Sequence, residues 1–210
     1  MTRRLLFAPA CALICLWAAG AARAGDPADD LLRNAAAHGM SVHTLFARFT
    51  QEKTLQMLVA PLRSSGYFCL SGKGGGDRVV WVYETPVRSG FTYESGKGSF
   101  WSKDPTNIRP VSAQEGAALS AMVRSLLTWV RIEPQRLREE HVVSMPDPAV
   151  PSLCLRPRKP NSFFSEVLIR FAPSLRTVES LRFTDADGGG VTLSFTDVRL
   201  NSLLPALCDP

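Results

Sequence analysis

The chain has 210 residues, 45% of them hydrophobic and 20% charged, with a formal net charge of +5. That is enough length and apolar content for one domain with a sizeable core. No block of like charges stands out, and Arg156-Pro157-Arg158-Lys159 reads as a solvated turn, so a nucleic-acid-binding face is excluded from the expectations.

The first element is a leader. Arg3 and Arg4 precede an apolar run from Leu5 to Ala19, and small residues follow to Ala22-Arg23-Ala24. This is the pattern of a secretory signal peptide cleaved after Ala24. The apolar run falls about five residues short of the roughly 20 needed to span a bilayer. Ile14 directly before Cys15 argues against a lipid-modified cysteine. The expected product is a soluble, exported protein with one domain over residues 25–210. Three of the 24 basic residues leave with the leader, so 21 face 19 acids and the net charge drops to about +2. Cys69, Cys154 and Cys208 remain where disulfides form. Cys154 with Cys208 is the expected pair, a tie on the C-terminal tail. Without a C-x-x-C, no metal site is expected.

Asp26-Pro27 opens a short helix that Gly39 closes, with Leu31, Leu32, Ala35 and Ala36 on one face. From Leu45 to Val59 the period changes to two. Phe49, Leu55 and Met57 share the odd parity with Leu45, Ala47 and Val59, as in one strand or two sharing a face. A helix competes with that reading but is weakened by Thr50, Thr54 and Pro61. Pro61–Gly66 reads as a turn. Short strands are expected at Gly66–Ser71, Arg78–Tyr83, Gly90–Glu94 and Ser99–Ser102, divided by Gly- or Pro-bearing turns. Val79, Trp81 and Tyr83 lie on one face, too much apolar area for a solvent side. Ser112 and Glu115 form a capping box, and Leu119, Met122, Val123, Leu126, Leu127 and Val130 repeat at helical spacing. Strand-like runs resume at His141–Ser144, Ser152–Leu155, Ser165–Phe171, Val178–Thr184 and Val191–Thr196. The last two flank the Asp/Gly hairpin signal from Asp185 to Gly190. The order of elements predicts one α+β domain with a mainly antiparallel sheet.

Catalytic signatures are sparse. There is no G-x-S-x-G elbow and no H-E-x-x-H helix. Gly72–Asp77 lacks the G-K-[ST] ending of a phosphate loop and leads into a strand. Asp185 and Asp187 begin like a calcium loop, but Thr196 stands where the bidentate Glu belongs. His38, His43 and His141 have no partnered nucleophile nearby in the sequence. The protein is not expected to be an enzyme, and no cofactor is implied.

Phe49-x-Gln51, then Ser65-Gly66, then Trp81 with Pro86, and finally Phe195-x-x-Val198-x-x-Asn201 occur in an order and spacing that resembles the LolA-like outer-membrane lipoprotein carriers, in a divergent branch. The resemblance spans nearly all of the processed chain. It implies a strongly curved, incomplete β-barrel closed by a helical lid, with a cavity for acyl chains during passage across the periplasm. Ser112–Arg131 is the natural lid. Phe49, Leu55, Met57, Val79, Trp81, Tyr83, Leu119, Met122 and Leu126 are then the candidate cavity and lid residues, with Gln51 and Lys53 near a rim. Implied partners are an acylated lipoprotein or lipid cargo, an inner-membrane donor and an outer-membrane acceptor, with the carrier a monomer. Two features depart from the pattern. Carrier-type members have an Arg-Pro before the Trp strand whose Arg helps hold the lid; here that segment, Lys73–Arg78, has no Pro. The aromatic C-terminal ending is replaced by Pro205–Pro210. A structural or interaction module of the envelope, and a hydrolase of acylated envelope molecules, are the alternative expectations.

Overall fold

A computed structural model describes residues 26–39, 41–72, 76–109, 111–159, 164–185 and 187–209. The leader lies outside these residues. Helix α1 (Pro27–Gly39) starts where Asp26 accepts the Ala28 N–H at 3.0 Å, and it buries Leu31, Leu32, Ala35 and Ala36. Gly39 is required at its exit, because a Cβ there would lie 2.5 Å from the Arg131 carbonyl oxygen. Six strands follow: β1 (Thr44–Thr54), β2 (Leu62–Ser71), β3 (Arg78–Thr85), β4 (Ser89–Glu94), β5 (Lys97–Ser102) and β6 (Asp104–Arg109). Helices α2 (Ala113–Arg131) and α3 (Pro134–Glu140) interrupt the strands. The chain then completes β7 (His141–Ser144), β8 (Ser152–Pro157), β9 (Glu166–Phe171), β10 (Val178–Thr184) and β11 (Gly190–Leu200).

All eleven strands join one sheet in the order β6-β5-β4-β3-β2-β1-β11-β10-β9-β8-β7, and every neighbouring pair is antiparallel. The first and last strands meet at the centre, and hairpins walk outward from them to both edges. β6 and β7 do not pair with each other, so the curved sheet stays an unclosed barrel with helices on its inner side, as the family resemblance implies. Two elements were not anticipated. β6 is polar apart from Ile108, and α3 carries one buried apolar residue, Leu137, so neither has a hydrophobic period to announce it. The expected turn at Pro61–Gly66 falls earlier. β1 ends at Thr54, a turn closes with the Leu58 N–H on the Leu55 carbonyl at 3.0 Å, and β2 begins at Leu62.

Alternation splits the sheet into two apolar faces. Leu45, Ala47, Phe49, Phe68, Leu70, Val79, Trp81, Leu153, Leu155, Val167, Ile169, Leu181 and Leu193 face inward onto the helices. Phe46, Tyr67, Cys69, Val80, Val82 and Trp101 face outward, and the C-terminal tail covers them with Leu204, Leu207 and Cys208. The disulfide is Cys69–Cys208, which corrects the expected Cys154–Cys208 pair. After β11 the tail turns back over β2 and β3, where the Tyr67 hydroxyl donates to the Leu207 carbonyl at 3.0 Å and Arg78 to that of Cys208 at 3.0 Å. β8 lies five strand spacings from β2, roughly 24 Å along the sheet, whereas the tail lies over β2 and β3. Cys154 stays a buried free thiol, its pKa raised by burial and by the neighbouring Glu166 carboxylate.

Candidate functional site

The inner face of β1–β5 carries a continuous aromatic wall. Register sets Phe68 beside Trp81, Trp81 beside Phe91, and Phe91 beside Phe100 on successive strands, so one row of the sheet is aromatic throughout. The Trp81 and Phe91 rings are nearly parallel at 7°, with centroids 6.3 Å apart. Phe49 packs 4.6 Å from Trp81 and edge-on to Tyr83 at 5.5 Å. Desolvation by burial raises the pKa of the Tyr83 phenol, whose hydroxyl donates to Gln51 Oε1 at 3.0 Å. Gln51 thus turns a polar group to the inner side at the end of the wall.

Helix α2 lies over this surface. Ser112 caps it with the expected box, accepting the Glu115 N–H while Glu115 accepts the Ser112 N–H. Leu119, Val123, Leu126 and Trp129 are buried beneath it. Gly98 of β5 makes room for the helix, since a Cβ there would lie 2.2 Å from Leu119 Cδ2. On the opposite side Trp129 meets Phe183 at 5.3 Å and Phe164 at 5.6 Å, so the helix rests between two aromatic groups.

Both ends of α2 are clasped by ion pairs. At its start Arg109 of β6 grips Glu115 with two nitrogens, at 2.9 and 3.2 Å. These bonds, with those from Ser112, hold the Glu115 carboxyl down at about 2. At its end Arg131 donates to both Asp77 oxygens at 2.6 and 2.7 Å and to the Gly72 carbonyl at 3.2 Å. This second pair is largely withdrawn from water, with side chains 13% and 8% exposed. The arginine therefore sits on the helix and the acid on the sheet's β2–β3 connection, while Arg78 is committed to the tail through Cys208 and Asp209. A cation at the C-terminus of α2 also suits the helix dipole.

Under α2 lies a slot of about 40 Å³, lined by Leu45, Ala47 and Phe68 of the sheet, by Leu126 and Val130 of α2, and by Phe195, Val198 and Leu200 of β11, among others. β11 reaches it through a bulge. Asp197 has φ 48°, and the β1 register skips between Phe46 and Arg48, so Phe195, Val198 and Leu200 all line the slot despite unequal spacing. That bulge is the physical content of the Phe-x-x-Val spacing. Asn201 ends the strand by accepting the His43 N–H at 2.7 Å and donating to the Ser41 carbonyl at 2.9 Å.

Of the nine candidate cavity residues, Phe49, Val79, Trp81, Leu119 and Leu126 are buried between sheet and helix, and Tyr83 is partly buried against them. Leu55 is half-buried in the turn after β1. Met57 is corrected: it is 89% exposed, because the strand ends at Thr54 and its parity does not continue through the turn. Met122 lies on α2, as expected of a lid residue, but is 48% exposed, on the shoulder of a buried stripe that runs through Leu119, Val123 and Leu126. Phe68, Phe91, Phe100, Trp129, Phe183 and Phe195 were missed. For Phe68, Phe91 and Phe100 the signal lay in cross-strand register, which no single strand displays. His141 is buried at the start of β7; desolvation lowers its pKa, and its Nδ1 has no hydrogen-bond partner among the described residues. Among the described residues no cluster suited to a metal occurs, and no helix is long and apolar enough to cross a membrane.

Solved structures similar to this chain include the following. The Pseudomonas aeruginosa MucA/MucB complex contains a similar chain, with a TM-score of 0.50 and 10% identity over 85% of this protein. The present chain spans 59% of that one's length. A putative outer-membrane lipoprotein-sorting protein domain from Vibrio parahaemolyticus aligns with a TM-score of 0.43 and 13% identity, over 85% of this chain and 94% of its own. A LolA superfamily protein from Nitrosomonas europaea aligns with a TM-score of 0.38 and 9% identity, over 86% and 96%. No curated protein matches the chain in sequence. The model of the outer membrane lipoprotein carrier protein LolA matches residues 40–207, and with an unclosed barrel under a clasped helix in the same span, the chain belongs to the LolA family.

Proposed function

We propose that the protein is a periplasmic carrier that takes up the acyl chains of a lipoprotein or a related acylated lipid and passes the cargo toward the outer membrane. One observation carries this reading. The apolar inner face is covered by a helix tied down at its ends by ion pairs, at Arg109–Glu115 and Arg131–Asp77, over a residual slot. On this reading the clasped arrangement is the closed form, and loading requires α2 to lift.

The energetics suit such a cycle. Burial contributes about 0.8 kcal/mol per methylene, so a chain of roughly sixteen carbons gains on the order of 12 kcal/mol. Lifting α2 uncovers Leu119, Val123, Leu126 and Trp129, at a cost of about 1.5–3 kcal/mol each. The two sums are comparable, which leaves a net affinity weak enough for release. Donor and acceptor proteins on the two membranes are the partners this reading requires, with the carrier acting as a monomer after cleavage behind Ala24.

Mass spectrometry of material co-purifying with the processed protein tests the proposal, together with uptake of an environment-sensitive apolar dye. The expected result is a bound acyl lipid and dye uptake reversed by added fatty-acyl lipid. A folded protein that takes up neither would end the carrier reading. It would leave the second one, a sealed envelope module that binds a protein partner; the MucB structure was solved with MucA.

A further inference from the structure

The β1–β2 hairpin ends in Leu55-Gln56-Met57-Leu58-Val59-Ala60-Pro61. Met57 is 89% exposed, Leu58 43% and Leu62 52%, and Val59 is entirely open to solvent. None of them belongs to either core of the molecule. Three consecutive large apolar side chains at a tip cost solubility, and nothing in the fold requires them there.

The surroundings of the tip narrow what it meets. β3 reaches only as far as the Ser65–Thr85 pair, so Leu62, Arg63 and Ser64 pair with β1 alone. On that side the hairpin stands about 10 Å proud at roughly 3.3 Å per residue. Its base is polar: Thr50, Glu52, Arg63, Ser64, Ser65 and Thr85 line a shallow open groove. A stable protein interface needs about 800 Å² on each partner with an apolar centre, and four side chains above a polar base do not supply that. An apolar tip that penetrates about 5–10 Å into a bilayer needs no such surround. The tip also closes part of its own backbone, through the Leu58 N–H on the Leu55 carbonyl and through Pro61, which has no N–H. That matters in hydrocarbon, where unpaired backbone groups are costly.

Charge near the tip shows no excess of cations. Lys53 stands opposite Leu62, Glu52 pairs with Arg63 at 3.0 Å, and Asp185 and Asp187 occupy the adjoining β10–β11 turn. Attraction to a membrane through this tip is therefore apolar rather than a response to anionic lipid.

We propose that Met57, Leu58 and Val59 insert into the acyl region of a lipid bilayer, with Lys53 and Arg63 at headgroup level. This does not rest on the carrier reading, since the tip meets a membrane whatever lies under α2.

The test is flotation with vesicles of phosphatidylcholine alone and of phosphatidylcholine with phosphatidylglycerol. It uses protein purified from the periplasm whose intact mass confirms loss of residues 1–24. The wild type is expected to float with both. Replacing Met57→Ser, Leu58→Ser and Val59→Ser together should reduce the bound fraction at least about tenfold and leave the thermal midpoint unchanged. Leu203→Ser, at a residue 95% exposed in the C-terminal segment, should change neither. The proposal is overturned by a wild type that stays with the unbound fraction or floats only with the anionic vesicles. It is equally overturned by a triple variant that floats as the wild type does, or by sedimentation showing that the tip drives self-association without vesicle binding.

Discussion

Removing the charge from Asp77 would leave the Arg131 guanidinium without its paired carboxylate in a site with little water, with only neutral oxygens, among them the Gly72 carbonyl, to receive it. Breaking one half of a buried pair is the costly change. Asp77→Asn is expected to lower stability by about 3 kcal/mol, measured by urea unfolding, and to speed dye entry under α2. Replacing both partners, Asp77→Leu with Arg131→Met, should recover most of the stability while dye entry stays fast, which separates the clasp's role from packing. Glu115 sits at the other end. Its carboxyl is held at about 2 against an ordinary 4.5, by the Arg109 side chain first and by Ser112 next. A depressed acid stabilises the folded state fully above its unfolded value, and the contribution fades as pH falls from 4.5 toward 2. Side-chain NMR of Glu115 is expected to show a midpoint near 2 in the wild type and a higher one in Arg109→Gln, still below the ordinary carboxylate value because the Ser112 hydrogen bonds remain.

At the level of elements, α2 depends on a missing side chain as much as on its own apolar stripe. Gly98 lets Leu119 seat directly against β5. Gly98→Val is expected to push the N-terminal half of the helix outward, costing about 1–3 kcal/mol by overpacking, read by thermal unfolding, and to raise dye uptake. The stripe through Leu119, Val123 and Leu126 was legible from its spacing, and so was the capping box that starts it. β1 was legible up to Thr54 because alternation persists there. Beyond it, Met57 and Val59 keep the parity by coincidence in a turn, where period two has no meaning. The Asp197 bulge likewise hides in sequence, since an extra residue breaks the alternation that would have placed Phe195 and Val198 on one side.

For the whole molecule, the Cys69–Cys208 bond closes a loop across 139 residues and holds the tail on the outer face. In the chain-entropy model a loop of that size contributes about 5 kcal/mol. Cys208→Ser is expected to cost about 2–5 kcal/mol in urea unfolding. Because the tail lies on the outer side, acyl-lipid binding under α2 should be little altered in the variant at temperatures where it stays folded. Loss of binding in a folded variant would show that the two faces are coupled.

Local rules were enough to announce a many-stranded sheet and two helices, the longer of them amphipathic, while the covering role of that helix came from the family resemblance. The sheet and helices follow from period, caps and turn residues, which act over a few positions and so can be read in a line of letters. The cysteine pairing, the aromatic row from Phe68 through Phe100 and the Arg131–Asp77 clasp could not be read that way. Each joins residues far apart in the chain, and strand order and register choose the partners. The same holds for the slot under α2, because free volume is the difference between a surface and everything packed against it.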